Sequence, residues 1–210
     1  ASASLIVEGA NLFLTPAARS FLYKHAGVRI VKDSSANKAG VICSSYEILS
    51  AHLLDRAEFD ELKPQIVAEV VHRLRELADL EATLLFREAA NYPNVELPEF
   101  CTRISQVINS TQQHLIDHFK DPKDHETPTC PFDLFETLAP DHLPPTLAAF
   151  AIDRGRHRLP CGYVASAVAS FVASNLVYSE GIHFCEALPK DRLAQIALDF
   201  LDAQRRARDA

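Results

Sequence analysis

Leu5-Ile-Val-Glu-Gly-Ala-Asn11, then Thr15-Pro16, then Val28-Arg-Ile-Val31, then Lys32-Asp-Ser-Ser-Ala-Asn-Lys-Ala-Gly40 and Val41-Ile-Cys-Ser44 stand in this order near the start of the chain. Leu5 to Val7 is a short continuous apolar run, the pattern of a strand buried on both faces. Thr15 and Pro16 mark a helix start, with Thr as N-cap and Pro at the first helical position. That helix carries Phe21 and Leu22, and Gly27 ends it. Val28 to Val31 is a second strand. Strand, crossover helix and strand form a βαβ unit, whose strands are parallel. Two parallel strands do not stand alone; they need further strands and helices on both faces. The reading therefore demands partners, from residues before Ala1 or from another chain. The chain contains no methionine, which fits a piece of a longer polypeptide.

After Gly40 the pattern is helical almost throughout. Val41 to Leu54 continues from the polar turn. Pro64 is expected to open a long helix with Ile66, Val70, Leu74, Leu77, Leu84 and Leu85 on one stripe. Asn91-Tyr-Pro-Asn94 breaks it. Phe100, Ile104, Val107, Leu115 and Phe119 form the next stripe. Asp121 to Pro145, rich in Pro, Asp and His, reads as a loop with a short helix near Phe132 to Leu138. Pro160 precedes an apolar helix. Pro189 precedes a last helix bearing Leu193, Ile196, Phe200 and Leu201, with Arg205, Arg206 and Arg208 at its C-terminal end, where the helix dipole favours cations. The expected fold class is mainly α: residues 1–55 form the α/β part and residues 56–210 an all-helical bundle.

The composition is that of a globular protein, with 48% hydrophobic residues. A net charge of -7 argues against a general nucleic-acid binder, which usually shows a basic stripe. Cysteines at 43, 101, 130, 161 and 185 include no Cys-x-x-Cys pair. They read as reduced, mostly buried thiols of a cytoplasmic protein. No signal peptide is visible. Ser166, Ser170, Ser174 and Asn175 interrupt the most apolar run, so no membrane span is expected.

The turn Asp33 to Gly40 carries the sharpest chemical signal. It leaves a parallel strand at its carboxyl end, where ligands bind in open α/β sheets. It then opens a helix, whose N–H groups and dipole make an anion site. Gly40 lets a ligand approach the backbone closely, and the Ser44 hydroxyl could bond a carboxylate. Glu8-Gly9-Ala10-Asn11 leaves the neighbouring strand in the same way, and Asn11 offers a donor and an acceptor. The two turns would face one crevice. A plain pair of polar turns with helix caps is the competing reading.

Val7 to Thr15 together with Lys32 to Glu47 resembles the glutamate dehydrogenase family, and within it the large NAD-dependent enzymes. The resemblance implies the closing part of a Rossmann-type NAD-binding domain, followed by the helical C-terminal region of those enzymes. It implies reversible oxidative deamination of L-glutamate to 2-oxoglutarate and ammonia, with NAD as cofactor. Asn11 and Asn37 match residues at the nicotinamide side of NAD. Gly40 matches a glycine whose backbone lines the substrate site, and Ser44 a serine that binds the substrate's side-chain carboxylate. Two departures stand out: Ala39 replaces a glycine, which requires a negative φ there, and Lys38 replaces a small residue. The family also needs a catalytic lysine and aspartate and a Gly-rich phosphate loop. No G-x-G-x-x-G occurs here, so no catalytic residue is assigned and the chain alone is expected to be inactive. The remainder of the parent dehydrogenase and further copies in a homo-oligomer are the implied partners, with no nucleic acid and no membrane. The alternative is a helical oligomerisation or regulatory module without a direct catalytic role.

Other motifs read as structural. His114 and His118 lie four apart, a spacing that suits a metal pair, with His125 and Cys130 near in sequence; surface histidines are the simpler reading. Asp121 to Glu126 is acidic but lacks the calcium-loop pattern. Ala165, Ala169, Ala173 and Ser166, Ser170, Ser174 recur every four residues, as in close helix packing. Arg154, Arg156, His157 and Arg158 read as a solvated basic loop.

Overall fold

The computed structural model describes residues 3–121, 124–128 and 130–208. Side chains at 121, 124–128, 204, 205, 207 and 208 fall outside the described set, and with them the expectations on His125, Arg205 and Arg208. The chain begins with β1 (Leu5–Val7), α1 (Pro16–Ala26), β2 (Arg29–Val31), α2 (Asp33–Ala36) and α3 (Ala39–Leu53). The helices α4 (Arg56–Asn91) and α5 (Leu97–His118) follow, then β3 (Lys120–Asp121) and β4 (Asp124–Pro128). α6 (Phe132–His142), α7 (Pro145–Arg158), α8 (Cys161–Glu180), α9 (Ile182–Ala187) and α10 (Leu193–Arg208) complete it.

β1 and β2 pair in parallel, Ile6 opposite Ile30. The crossover between them forms as the sequence dictates. Thr15 Oγ1 accepts the Ala18 N–H at 3.2 Å, Pro16 opens α1, and Gly27 closes it at φ 64°, a conformation that suits a residue without Cβ. β1 is half-covered and Val7 is exposed, whereas Ile30 and Val31 of β2 are buried, Val31 within the apolar cluster of the helical part.

Several boundaries differ from the expectations. The turn after β2 is itself helical, a four-residue α2 rather than a polar loop. α4 opens at Arg56, not at Pro64, because Asp55 and Glu58 form a capping box: Asp55 Oδ1 accepts the Glu58 N–H and Glu58 Oε2 accepts the Asp55 N–H, both at 2.9 Å. Pro64 is carried inside the helix. The carbonyl it cannot bond belongs to Asp60, an exposed residue open to water. β3 and β4 pair antiparallel where the sequence reads as a loop; their polar residues leave no apolar alternation to read. α6 is longer than expected, and α9 lies between the two proline-marked helices.

The core is one apolar cluster running from Val31 to Leu201. The stripe Phe100, Ile104, Val107, Leu115 and Phe119 is buried, and its partner is α8. Each fully buried Leu or Phe contributes about 1.5–3 kcal/mol relative to exposure. α8 is long and apolar enough to cross a membrane, against the sequence expectation. Val164, Val168, Val172 and Leu176 are nonetheless buried among α5, α6 and α10. Ala165, Ala169 and Ala173 are buried with them, which lets these helices approach closely within one chain. The basic cluster is the last turn of α7, not a loop. Arg154 Nη1 and Arg158 Nη1 donate to the Leu53 carbonyl at the C-terminus of α3, at 3.3 and 3.0 Å, and Arg154 also pairs with Glu58 at 3.0 Å. Cys101 and Cys185 are buried, but Cys43 and Cys161 are half-buried and Cys130 is exposed, so the thiols are less buried than expected.

α8 and α9 meet at Gly181, with φ 92°, where a Cβ would lie 2.8 Å from Glu88 Oε1. Glu88 is itself buried and accepts the Ile182 N–H at 3.3 Å. Gly181→Ala is expected to lower the unfolding free energy by about 1–3 kcal/mol, read from urea denaturation, because φ and packing both oppose the new methyl.

Candidate functional site

Both turns rest on a buried carboxylate. Glu8 follows the last residue of β1, and its N–H extends the ladder to the Val31 carbonyl at 3.0 Å. Its side chain is buried and holds Arg19 of α1 in a two-point pair, Nε to Oε1 at 3.0 Å and Nη2 to Oε2 at 2.8 Å. Glu8 Oε2 also accepts the backbone N–H of Asp33 at 3.2 Å. The hydrogen bonds that Arg19 donates to Glu8 push its pKa up against the opposing effect of burial. Asp33, buried as well, reaches back across the sheet: Oδ2 accepts the Leu12 N–H at 2.7 Å and Oδ1 pairs with Lys32 at 3.0 Å. The Leu12 amide bond, followed by the Lys32 contact, holds the Asp33 pKa below its ordinary value of 3.8. Leu12 sits at φ 54° although its side chain is exposed, so the amide bond, not side-chain burial, accounts for the left-handed backbone.

This stitching brings Asn11 and Asn37 together, and leaves Asn11, Gly40 and Ser44 exposed. Asn37, the residue closing α2, donates from Nδ2 to Asn11 Oδ1 at 2.5 Å. That bond leaves Asn11 Nδ2 as a donor and Asn37 Oδ1 as an acceptor, a complementary pair for a carboxamide. Gly40 lies in the first turn of α3 with nothing within 4 Å of where a Cβ would stand. One turn later the Ser44 hydroxyl donates to the Gly40 carbonyl at 3.1 Å. α3 begins without a side-chain cap, so its first amides remain able to hold an anion. To bind a carboxylate, Ser44 has to swing its proton away from the Gly40 carbonyl. Among the described residues Leu12 is the one non-glycine with positive φ, so Ala39 meets the requirement set by replacing a glycine. Lys38, the other departure, turns onto Glu81 of α4 at 2.7 Å.

The metal reading gains no support. No group of three His, Cys, Asp or Glu side chains among the described residues could hold an ion, and His114 Nδ1 bonds the Ser110 carbonyl at 2.7 Å. Sequence reasoning missed Glu8, Arg19, Asp33 and Glu81 as a framework. Glu8 and Asp33 read as turn residues, and Glu81 stands 43 residues from Lys38 with no local signal.

The comparisons with known proteins fit this geometry. Residues 1–96 match the model of the glutamate/leucine/phenylalanine/valine dehydrogenases. These residues belong to that family. The match takes in β1 through α4 and every candidate site residue. Over 181 residues the chain is 32% identical to a probable NAD-specific glutamate dehydrogenase of Schizosaccharomyces pombe, covering 82% of this chain and 16% of that protein. It is 30% identical over 190 residues to glutamate dehydrogenase 2 of Dictyostelium discoideum, covering 85% and 17%. An NAD-specific glutamate dehydrogenase of Neurospora crassa is 30% identical over 191 residues, covering 84% and 17%. The chain thus spans about a sixth of the length of the curated relatives it matches. No solved structure matches it.

Two outcomes check the framework. Glu8→Gln leaves a buried guanidinium without its anion and is expected to cost about 3 kcal/mol, measured by urea unfolding. The depressed folded pKa of Asp33 means its contribution is present above 3.8 and is lost as pH falls through the lower folded value. The stability of Asp33→Asn is therefore expected to fall less steeply than that of the parent when urea midpoints are compared between about pH 4 and pH 2.

Proposed function

We propose that the chain is one wall of the active site of an NAD-dependent glutamate dehydrogenase, part of a longer enzyme that interconverts L-glutamate with 2-oxoglutarate and ammonia. In this reading residues 1–55 are the closing part of a Rossmann-type NAD-binding domain and residues 56–210 a helical C-terminal domain that carries it. The Asn11–Asn37 contact, with Gly40 about one helical turn and Ser44 about two turns further along the chain, supports the reading most directly. NAD would supply the hydride acceptor. Asn11 and Asn37 would present their remaining donor and acceptor to the carboxamide of its nicotinamide. The uncapped start of α3 with Ser44 would hold the substrate's side-chain carboxylate, and the open backbone at Gly40 would let the substrate lie close. The acid and base come from outside this chain, from the remainder of the parent enzyme. Val7, Leu12, Phe13 and Val41 are large apolar side chains exposed around these turns, which fits a surface that the rest of such an enzyme covers. Val67, Val71 and Leu80 on α4 are also exposed and fit a second role for the helical part, assembly into a homo-oligomer. A cytoplasmic setting completes the reading.

The pure 210-residue chain is expected to give no glutamate-dependent NADH, whereas the full-length protein gives it. In the full-length protein Ser44→Ala is expected to raise KM for glutamate about tenfold, the worth of one lost bond to a charged group, with assembly intact by size-exclusion chromatography. Unchanged kinetics would remove Ser44 from the site. Gly40→Ala is expected to stabilise α3 by about 0.5–1 kcal/mol while weakening glutamate binding, since the methyl enters the open face.

A further inference from the structure

Glu81 of α4 is buried, and more than its one cation, Lys38, holds it. Three groups from two other places in the fold converge on its carboxylate. Ser35 Oγ donates to Oε1 at 2.6 Å, and Lys38 Nζ lies 2.7 Å from both oxygens. Tyr178 OH, from α8, donates to Oε2 at 2.9 Å. Burial, and then the facing carboxylate, push the Tyr178 phenol pKa far above its usual value, so it remains a protonated donor. The carboxylate side chain is 6% exposed and the Lys38 side chain 25%. A cavity of about 60 Å³ lies under this junction, lined among others by Ala36, Ile42, Leu77 and Tyr178.

We propose that Glu81 is a positioning residue for the substrate turn: it clamps Ser35 and Lys38, on either side of Asn37, to α4 and α8, and so sets where Asn37 and Gly40 stand. This rests on the function proposed above. The bonds run through residues two before and one after Asn37, so the α2–α3 junction cannot rotate without breaking them. The same contact draws the Lys38 ammonium down onto α4 and away from the face where the substrate's carboxylate would lie. A buried carboxylate that loses its cation is costly, which makes the clamp two-state: either all its partners are seated or the turn is released. The helical region then acts on catalysis through the geometry of one turn and needs no contact with substrate.

The test uses the full-length protein and two readouts. Glu81→Gln keeps the size and loses the charge; Tyr178→Phe removes one hydroxyl and leaves the packing. Expected for Glu81→Gln is a fall in kcat/KM for glutamate of about ten- to a hundredfold, in line with small misplacements of positioning groups, and faster amide exchange in residues 33–44 with exchange in α5 unchanged. Tyr178→Phe is expected to give a smaller change in the same direction without a shift in melting temperature. Lys38→Met placed on Glu81→Gln is expected to add little, because both act through one contact. Unchanged exchange over residues 33–44 in Glu81→Gln overturns the clamp, and so do parent kinetics in that variant while Asn37→Ala is impaired. If the full-length protein does not oxidise glutamate, the proposed function fails, and the exchange measurement still decides whether Glu81 holds the turn.

Discussion

Glu8 places a carboxylate at the end of a three-residue strand with almost no water around it, and that charge must be matched on the spot. Arg19 comes from the crossover helix, and the Asp33 amide comes from the end of the second strand. One buried anion thus ties three consecutive elements that share few backbone bonds. A buried ion pair adds little net stability compared with an apolar core, but it fixes geometry, since leaving either partner alone is costly. Asp33 then repeats the device in the opposite direction by holding the Leu12 amide. The asparagines meet because the two turns that carry them are pinned at both ends.

The helical part supplies what the short strands lack. Val31 is buried in its apolar cluster, and α3 is held at its C-terminus by Arg154 and Arg158 and near its start by Glu81. Asn11, Gly40 and Ser44 remain exposed, while the carboxylates of Glu8, Asp33 and Glu81 beneath them are bonded. This division suits a surface that has to meet another wall: rigid underneath, uncovered on top. The apolar residues left exposed near the turns belong to the same arrangement.

Much of this was legible in the sequence for identifiable reasons. Thr15-Pro16 and Gly27 bound α1 because caps depend on local chemistry. The Phe100 to Phe119 stripe announced a buried helix because period 3.6 survives in any context. Asn11, Asn37, Gly40 and Ser44 could be named as candidates because they sit in turns at strand and helix ends and match a family motif there. Pro64 misled because a capping box upstream outweighed it and the carbonyl it leaves belongs to an exposed residue. The pairing of β3 with β4 was missed because backbone pairing between polar residues leaves no pattern. The arginines of α7 looked like loop residues because their acceptor, the Leu53 carbonyl, is about a hundred positions away.

The sequence by itself determined the βαβ order, the helical character of the remainder and the residue types at the candidate site. These follow from propensities, caps and periodicity acting over a few residues. Only the tertiary structure decided which charges are buried and what each one holds. Glu8, Asp33 and Glu81 are ordinary acidic residues in the linear chain. They become the framework of the site because folding removes their water and leaves one set of donors within reach, and burial of that kind depends on segments far apart in sequence.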